Sequence, residues 1–193
     1  MDIKETPISQ DYKYKGRIIN LRVDNAQLPN GKQATREVVE HPGGVTVAAL
    51  TSENEVVFVR QFRYPYMLEM LEIPAGKLEK GENPFCAGVR ELQEETGATA
   101  QRYYDLGKFF PTPGYCGEII HLYAATGLEF SEQHLDEDEF VNVEIIPLEK
   151  AVNMILCGEI RDGKTQAAVL KLDAILKQDR LCEFEIQRWR EIK

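Results

Sequence analysis

With 193 residues the chain is long enough to bury one substantial core, and 43% hydrophobic with 28% charged residues excludes a disordered or low-complexity polypeptide. A formal net charge of −9 excludes nonspecific attachment to nucleic acid or to an anionic membrane, since both need basic surface. No apolar run reaches bilayer-spanning length and the first residues carry no hydrophobic signal region, so the expected compartment is the cytoplasm, with no membrane partner.

Residues 16–28 and 32–40 read as extended stretches joined at Pro29-Asn30-Gly31, where Asn-Gly is a hairpin turn signal. Residues 1–42 are therefore expected to form a small antiparallel sheet. Pro42-Gly43-Gly44 marks the boundary to a main domain over 43–178, and 179–193 remain as a tail, either a last helix or a frayed end. In the main domain, 45–50 and 55–60 are expected to pair as strands across Thr51-Ser52-Glu53-Asn54. A short extended piece over 71–74 then delivers the chain to Ala75-Gly76. Asn83 can cap a helix, Pro84 suits its first position, and Gly97 can supply the left-handed residue that ends it. Strand-like aromatic and branched residues follow over 102–110 and 121–125, on either side of Pro111-Thr112-Pro113-Gly114. An acidic loop, Asp136-Glu137-Asp138-Glu139, precedes a strand over 140–146, and helices are expected over 148–157 and 165–177. This order implies an α/β protein, a mixed sheet flanked by helices.

Cys86, Cys116, Cys157 and Cys182 form no C-x-x-C pair and are expected to be buried thiols. His41, His121 and His134 do not cluster either, and no histidine is assigned to metal. Residues 158–165, Gly-Glu-Ile-Arg-Asp-Gly-Lys-Thr, satisfy the phosphate-loop expression G-x4-G-K-[ST]. That loop must follow a hydrophobic strand, whereas 148–157 reads as an amphipathic helix, so a helix-to-helix turn capped at Gly163 is expected instead.

The stretch from Gly76 to Ala98 carries the chemistry. Phe85, Val89 and Leu92 recur at helical spacing as an inward face, while Glu91, Glu94 and Glu95 crowd a neighbouring one. Such repulsion costs only about 0.2–0.5 kcal/mol per exposed pair, which a solvated acidic face would tolerate. Glu82 before the helix, Arg90 among the acids and the Ala75-Gly76 loop favour instead an oxygen-rich site for magnesium or manganese.

Gly76, Glu82, Arg90, Glu91, Leu92, Glu94, Glu95 and Gly97, with Ala98 in the last aliphatic place, match G-x5-E-x7-R-E-U-x-E-E-x-G-U. The chain thereby resembles the Nudix hydrolases. The resemblance implies an α/β/α sandwich and hydrolysis of a nucleoside diphosphate linked to another moiety, with Mg2+ or in its place Mn2+. Glu91, Glu95, Glu94, the Ala75 carbonyl and Glu139 are the implied metal ligands, and Arg90 orients the carboxylates.

Pro113, fifteen positions after Ala98, together with Gln61-Phe62-Arg63, Glu72-Ile73-Pro74-Ala75-Gly76 and the acidic loop, resembles the ADP-ribose pyrophosphatase subgroup. Tyr115 also fits the diadenosine polyphosphate hydrolases; these, or another nucleotide-sugar hydrolase of the family, stand as the alternative, beside a catalytically silent ADP-ribose sensor. Arg63 and Arg36 are candidate contacts to phosphate or ribose, or else surface charges. Glu72 is a candidate acceptor for an adenine amine, or an exposed residue at a strand edge. Tyr64, Tyr66 and Tyr115 are candidates for stacking on a base, although buried core tyrosines are commoner. The helix acids are committed to metal, so the general base is sought in the acidic loop, with Glu137 as base and Glu139 as ligand. A homodimer formed through the N-terminal sheet, bringing Arg36 to the partner's site, completes the expectation.

Overall fold

The computed structural model describes residues 2–135, 139–187 and 189. Its contacts divide the chain into two units, Met1–Gly43 with Phe110–Ile119, and Gly44–Phe109 with Ile120–Lys193.

In the first unit β1 (Thr6–Lys15), β2 (Asn20–Gln27) and β3 (Gln33–Glu40) form an antiparallel sheet in that order. The expected hairpin is β2–β3, closed where Gly31 takes φ +80 and donates to the Leu28 carbonyl. The sequence reading overlooked β1, because all ten of its residues are exposed and no buried alternation marks it. Segment 110–119 pairs with the same sheet: Val39 N–H donates to the Tyr115 carbonyl at 2.8 Å and Gly117 N–H to the Val39 carbonyl at 2.9 Å.

The second unit is built on a seven-stranded mixed sheet. Its main path runs β10 (Val141–Pro147), β5 (Glu55–Arg63), β4 (Gly44–Leu50), β9 (Ile120–Phe130), β8 (Ala98–Phe109). In addition β6 (Leu68–Glu72) pairs with β5, and β7 (Ala75–Lys77) pairs with β4. Strands β4 and β9 are parallel. Strand β4 is buried on both faces, which explains its unbroken apolar run. Val45, Val47 and Ala49 face the helix α1 (Pro84–Thr96) with Phe85, Ala87 and Leu92. Ala48 and Leu50 face α2 (Leu148–Leu156) and α3 (Gly163–Lys177) with Ala151, Ile155, Ala168, Val169 and Leu172. The expected α/β/α sandwich is the architecture found.

Through residue 187 the tail is ordered, with one 3-10 helix. A 3-10 turn over Leu181–Phe184 leads to Ile186, whose N–H donates to the Tyr103 carbonyl of edge strand β8 at 2.8 Å. Trp189 packs edge-on against Tyr103 and Phe85, with ring centroids 5.1 and 6.2 Å apart. The thiols differ from expectation as well: Cys157 and Cys182 are exposed and Cys86 and Cys116 half-buried, since helix ends and loops rather than core positions carry them.

Helix α1 is held at both ends by the residues the sequence marks. The Asn83 side chain accepts from Phe85 N–H, and Gly97 at φ +70 closes the helix onto the Gln93 carbonyl. A Cβ at Gly97 would sit 2.1 Å from the Ser131 carbonyl oxygen, so the loop after β9 docks where only glycine fits. Ser131 N–H donates to the Gly97 carbonyl, His134 N–H to the Glu94 carbonyl, and the Gln133 side chain to the Glu95 carbonyl.

Candidate active site

The helix just described aims two carboxylates at the backbone of β7. Glu95 accepts from Ala75 N–H at 2.9 Å and is 3% exposed; Glu91, one turn earlier, is 8% exposed. A Cβ placed on Gly76 would lie 1.9 Å from the Glu91 carboxyl, so glycine there leaves the space the carboxylate fills. Strand β7 owes its position to β4, with Val45 opposite Gly76 and Thr46 opposite Ala75. The preceding Pro74 carbonyl accepts from Val47 N–H and the Thr46 hydroxyl.

Two acids buried this closely resist ionising. Burial pushes Glu95 up to about 8; the Ala75 N–H offsets part of that, while the charges of Glu91 and Glu139 add to it. Burial also raises Glu91, against the pull of Arg90, and Glu94 and Glu139 raise it further. Arg90 serves the whole group: its Nε and Nη2 reach Glu82 at 3.1 and 3.2 Å, and its Nη1 lies 2.8 Å from both Glu91 and Glu94. Burial works against the guanidinium charge, but Glu82, Glu91 and Glu94 hold it firmly protonated.

The donor chemistry suits a hard divalent cation: two buried carboxylates beside the Ala75-Gly76 backbone, with a glycine that leaves room for Glu91. Among the described residues no three His, Cys, Asp or Glu side chains stand together as a metal cluster, and Arg90 pairs with Glu91 and Glu94. Glu91, Glu95 and the Ala75 carbonyl would hold such an ion. Glu139 belongs to the same electrostatic neighbourhood through its effect on both buried acids. Glu137, expected as the base, lies outside the described residues together with Asp136 and Asp138.

Arg63 and Glu72 meet, but differently from expectation. Glu72 is neither an edge residue in solvent nor open to an adenine amine. Its side chain is 1% exposed, gripped by Arg63 through Nε at 2.6 Å and Nη2 at 2.7 Å, and by Lys164. Burial would raise this carboxyl, but the two cations hold it below the usual carboxylate range. Tyr64, Tyr66 and Tyr115 are exposed rather than buried in the core.

Arg36, Pro113 and Tyr115 belong to the N-terminal unit. There Arg36 forks onto Glu5, with Nε at 2.9 Å and Nη2 at 2.6 Å from the two carboxylate oxygens. Pro113 and Tyr115 lie exposed in the turn that closes with Cys116 N–H on the Thr112 carbonyl.

Sequence reasoning passed over Asp162, Lys164 and Thr165. Asp162, not Gly163, caps α3, accepting from the Thr165 N–H and hydroxyl at 2.9 and 2.6 Å. The Thr165 hydroxyl oxygen in turn accepts from Ile73 N–H at 3.0 Å. The one signal for them in the sequence is the phosphate-loop match, whose context assigns them no role by itself.

Residues 40–169 match the NUDIX domain family, and residues 5–39 match the nucleoside diphosphate sugar hydrolase N-terminal domain. A protein of Bacillus subtilis (strain 168) named ADP-ribose pyrophosphatase is 43% identical over 169 residues, which cover 86% of this chain and 91% of that one. A protein of Bacillus methanolicus named methanol dehydrogenase activator is 46% identical over 178 residues, 90% of this chain and 96% of the other. A solved structure described as an ADP compounds hydrolase superposes with a TM-score of 0.79, covering 92% of this chain and 97% of its own; at 19% identity that likeness concerns the fold.

Proposed function

Since the chain belongs to the Nudix hydrolase family and is a pyrophosphohydrolase, we propose that it cleaves ADP-ribose to AMP and ribose 5-phosphate with Mg2+, Mn2+ being a substitute. The observation that carries this reading is the Glu91–Glu95 pair buried against Ala75-Gly76, intact in a chain 43% identical to a protein named for that reaction. The same intact acids count against a silent sensor. Bound there, a divalent ion would neutralise diphosphate oxygens and acidify the attacking water.

The chain's own residues set the geometry. Ala75 N–H fixes one oxygen of Glu95, and Arg90 keeps Glu82, Glu91 and Glu94 in register. Arg63, with Nε and Nη2 committed to Glu72, offers Nη1 to a phosphate oxygen. Glu137 is assigned the water proton, Glu139 a place on the metal, and Glu94 a supporting one. Pro113 and Tyr115 are assigned to the nucleoside side. The enzyme is read as a cytoplasmic homodimer: Ile8, Tyr12, Tyr14, Ile18 and Ile19 are exposed in the N-terminal unit, an apolar surface that a second copy would cover. Arg36 would then serve the partner's site.

Incubation with ADP-ribose, a GDP-sugar and a diadenosine polyphosphate in the presence of Mg2+ tests the substrate. The expected products from ADP-ribose are AMP and ribose 5-phosphate in equal amounts, formed fastest of the three. Faster cleavage of the diadenosine compound would sink the substrate assignment.

A second reading is favoured by the identity to the Bacillus methanolicus protein: action on a dehydrogenase partner. Titrating the chain into a methanol dehydrogenase and following alcohol oxidation tests it, and unchanged turnover removes it.

A further inference from the structure

Electrostatically coupled to Glu95 is a second charged cluster, Arg63, Glu72, Asp162 and Lys164, assembled from β5, β6 and the start of α3. Lys164 Nζ donates to Glu72 and, at 3.0 Å, to Asp162, with only 9% of its side chain exposed. Glu72 already has a two-pronged bond from Arg63, so one cation suffices to neutralise it. A second buried cation on the same carboxylate is a poor stabiliser, because desolvation consumes most of what the pairing returns. Asp162 is held independently by the Thr165 N–H and hydroxyl at the α3 N-terminus, where the helix dipole favours a negative charge. Each acid thus has a hydrogen-bond partner besides the lysine.

Its effect falls on Arg63. Without Lys164 the Glu72 carboxylate would belong to Arg63 alone, and the fork would be a closed, neutral pair. With Lys164 sharing that carboxylate, Glu72 divides its attraction between two cations and holds the guanidinium less tightly. Its Nη1 has no hydrogen-bond partner among the described residues, and 38% of its side chain is exposed. Both cations act electrostatically on this centre, Arg63 in contact with the field of Glu95 and Lys164 likewise.

We propose that Lys164 is a positioning residue for substrate binding: by sharing the buried Glu72 carboxylate it weakens that acid's hold on the Arg63 guanidinium, whose remaining donor edge then serves the diphosphate of a nucleoside diphosphate sugar. This rests on reading the centre as a diphosphate site. The sequence that imitates a phosphate loop thus serves phosphate at one remove, through a side chain on another element.

Steady-state kinetics on Lys164→Met and Lys164→Gln test the proposal; the glutamine variant removes the charge but keeps a hydrogen-bond donor. Both should raise KM for ADP-ribose about tenfold or more while kcat stays within about threefold, the pattern of lost uniform binding. In Glu72→Gln/Lys164→Met no carboxylate competes for Arg63, so KM should fall back by at least about threefold from the single Lys164→Met value. A purely structural lysine predicts the reverse, a double variant no better than the single one. That result, or a fall in kcat at unchanged KM in the glutamine variant, overturns the proposal. If the wild type turns over another nucleoside diphosphate sugar in place of ADP-ribose, the substrate assignment fails. The same variants on that sugar then decide the role of Lys164. A wild type that cleaves none of these sugars sinks both.

Discussion

Replacing Glu95 by Gln should stabilise the metal-free protein while abolishing its chemistry, and the stabilisation should depend on pH in a defined direction. In the folded protein burial pushes the Glu95 carboxyl up to about 8 from the usual 4.5. Above pH 4.5 the unfolded chain releases this proton while the folded protein retains it, so stability present at low pH is lost progressively as pH rises to 8 and is constant beyond. At 1.36 kcal/mol per pH unit the loss reaches roughly 3 kcal/mol at pH 7 and about 5 kcal/mol by pH 9. The substituted glutamine has no proton to lose and its amide oxygen can still accept from Ala75 N–H, so the variant escapes the decline. For a chain of this length about 3 kcal/mol corresponds to a rise in Tm of roughly 6–12 °C at pH 7, with little difference at pH 5. Thermal melts in chelator at pH 5, 7 and 9 measure this, and turnover with Mg2+ should fall at least ~10²-fold. Parallel Tm-against-pH curves for wild type and variant would show that Glu95 is not the buried, proton-holding acid.

Gly76→Ala drives a Cβ into the Glu91 carboxyl, a flexible group that can move aside, so stability should change by no more than about 1 kcal/mol while kcat/KM falls at least ~10²-fold and Mg2+ binding weakens. Wild-type kinetics in that variant would detach Glu91 from the metal. Glu137→Gln should lower kcat by about 10²–10⁴-fold with unchanged Mg2+ affinity, whereas Glu139→Gln should mainly weaken Mg2+ binding, as titration calorimetry and initial rates resolve. If both keep near-normal kcat and magnesium dependence, the base lies outside this loop.

The parts of the fold legible in the sequence are those where local chemistry and tertiary need coincide. Asn83, Pro84 and Gly97 set the limits of α1 because a cap, a fixed φ and a left-handed residue are local devices, and the structure uses each at its place. The burial of Glu91 and Glu95 was not legible. Periodicity set them on a polar face, and only the approach of β7, with a glycine opposite, turns that face inward. Strand β1 was invisible for the converse reason: its order comes from pairing with β2 and not from burial, so no apolar alternation records it.

Glu72 and the 158–165 segment share a lesson about what a motif can carry. By itself Glu72 suggests a base acceptor and Gly163-Lys164-Thr165 a phosphate loop, and the structure commits both to other bonds. The bonds that give them meaning span ninety-two positions, from Lys164 to Glu72 and from Ile73 to Thr165. No window along the chain contains both ends. The physical hint was still present: a lysine directly after a helix start is ill placed against the positive end of the dipole unless an acid meets it. Asp162 supplies that acid locally, and Lys164 also reaches Glu72 on another element. A buried cation at a helix N-terminus is thus a reason to look for its second partner, and here that partner is the residue holding Arg63.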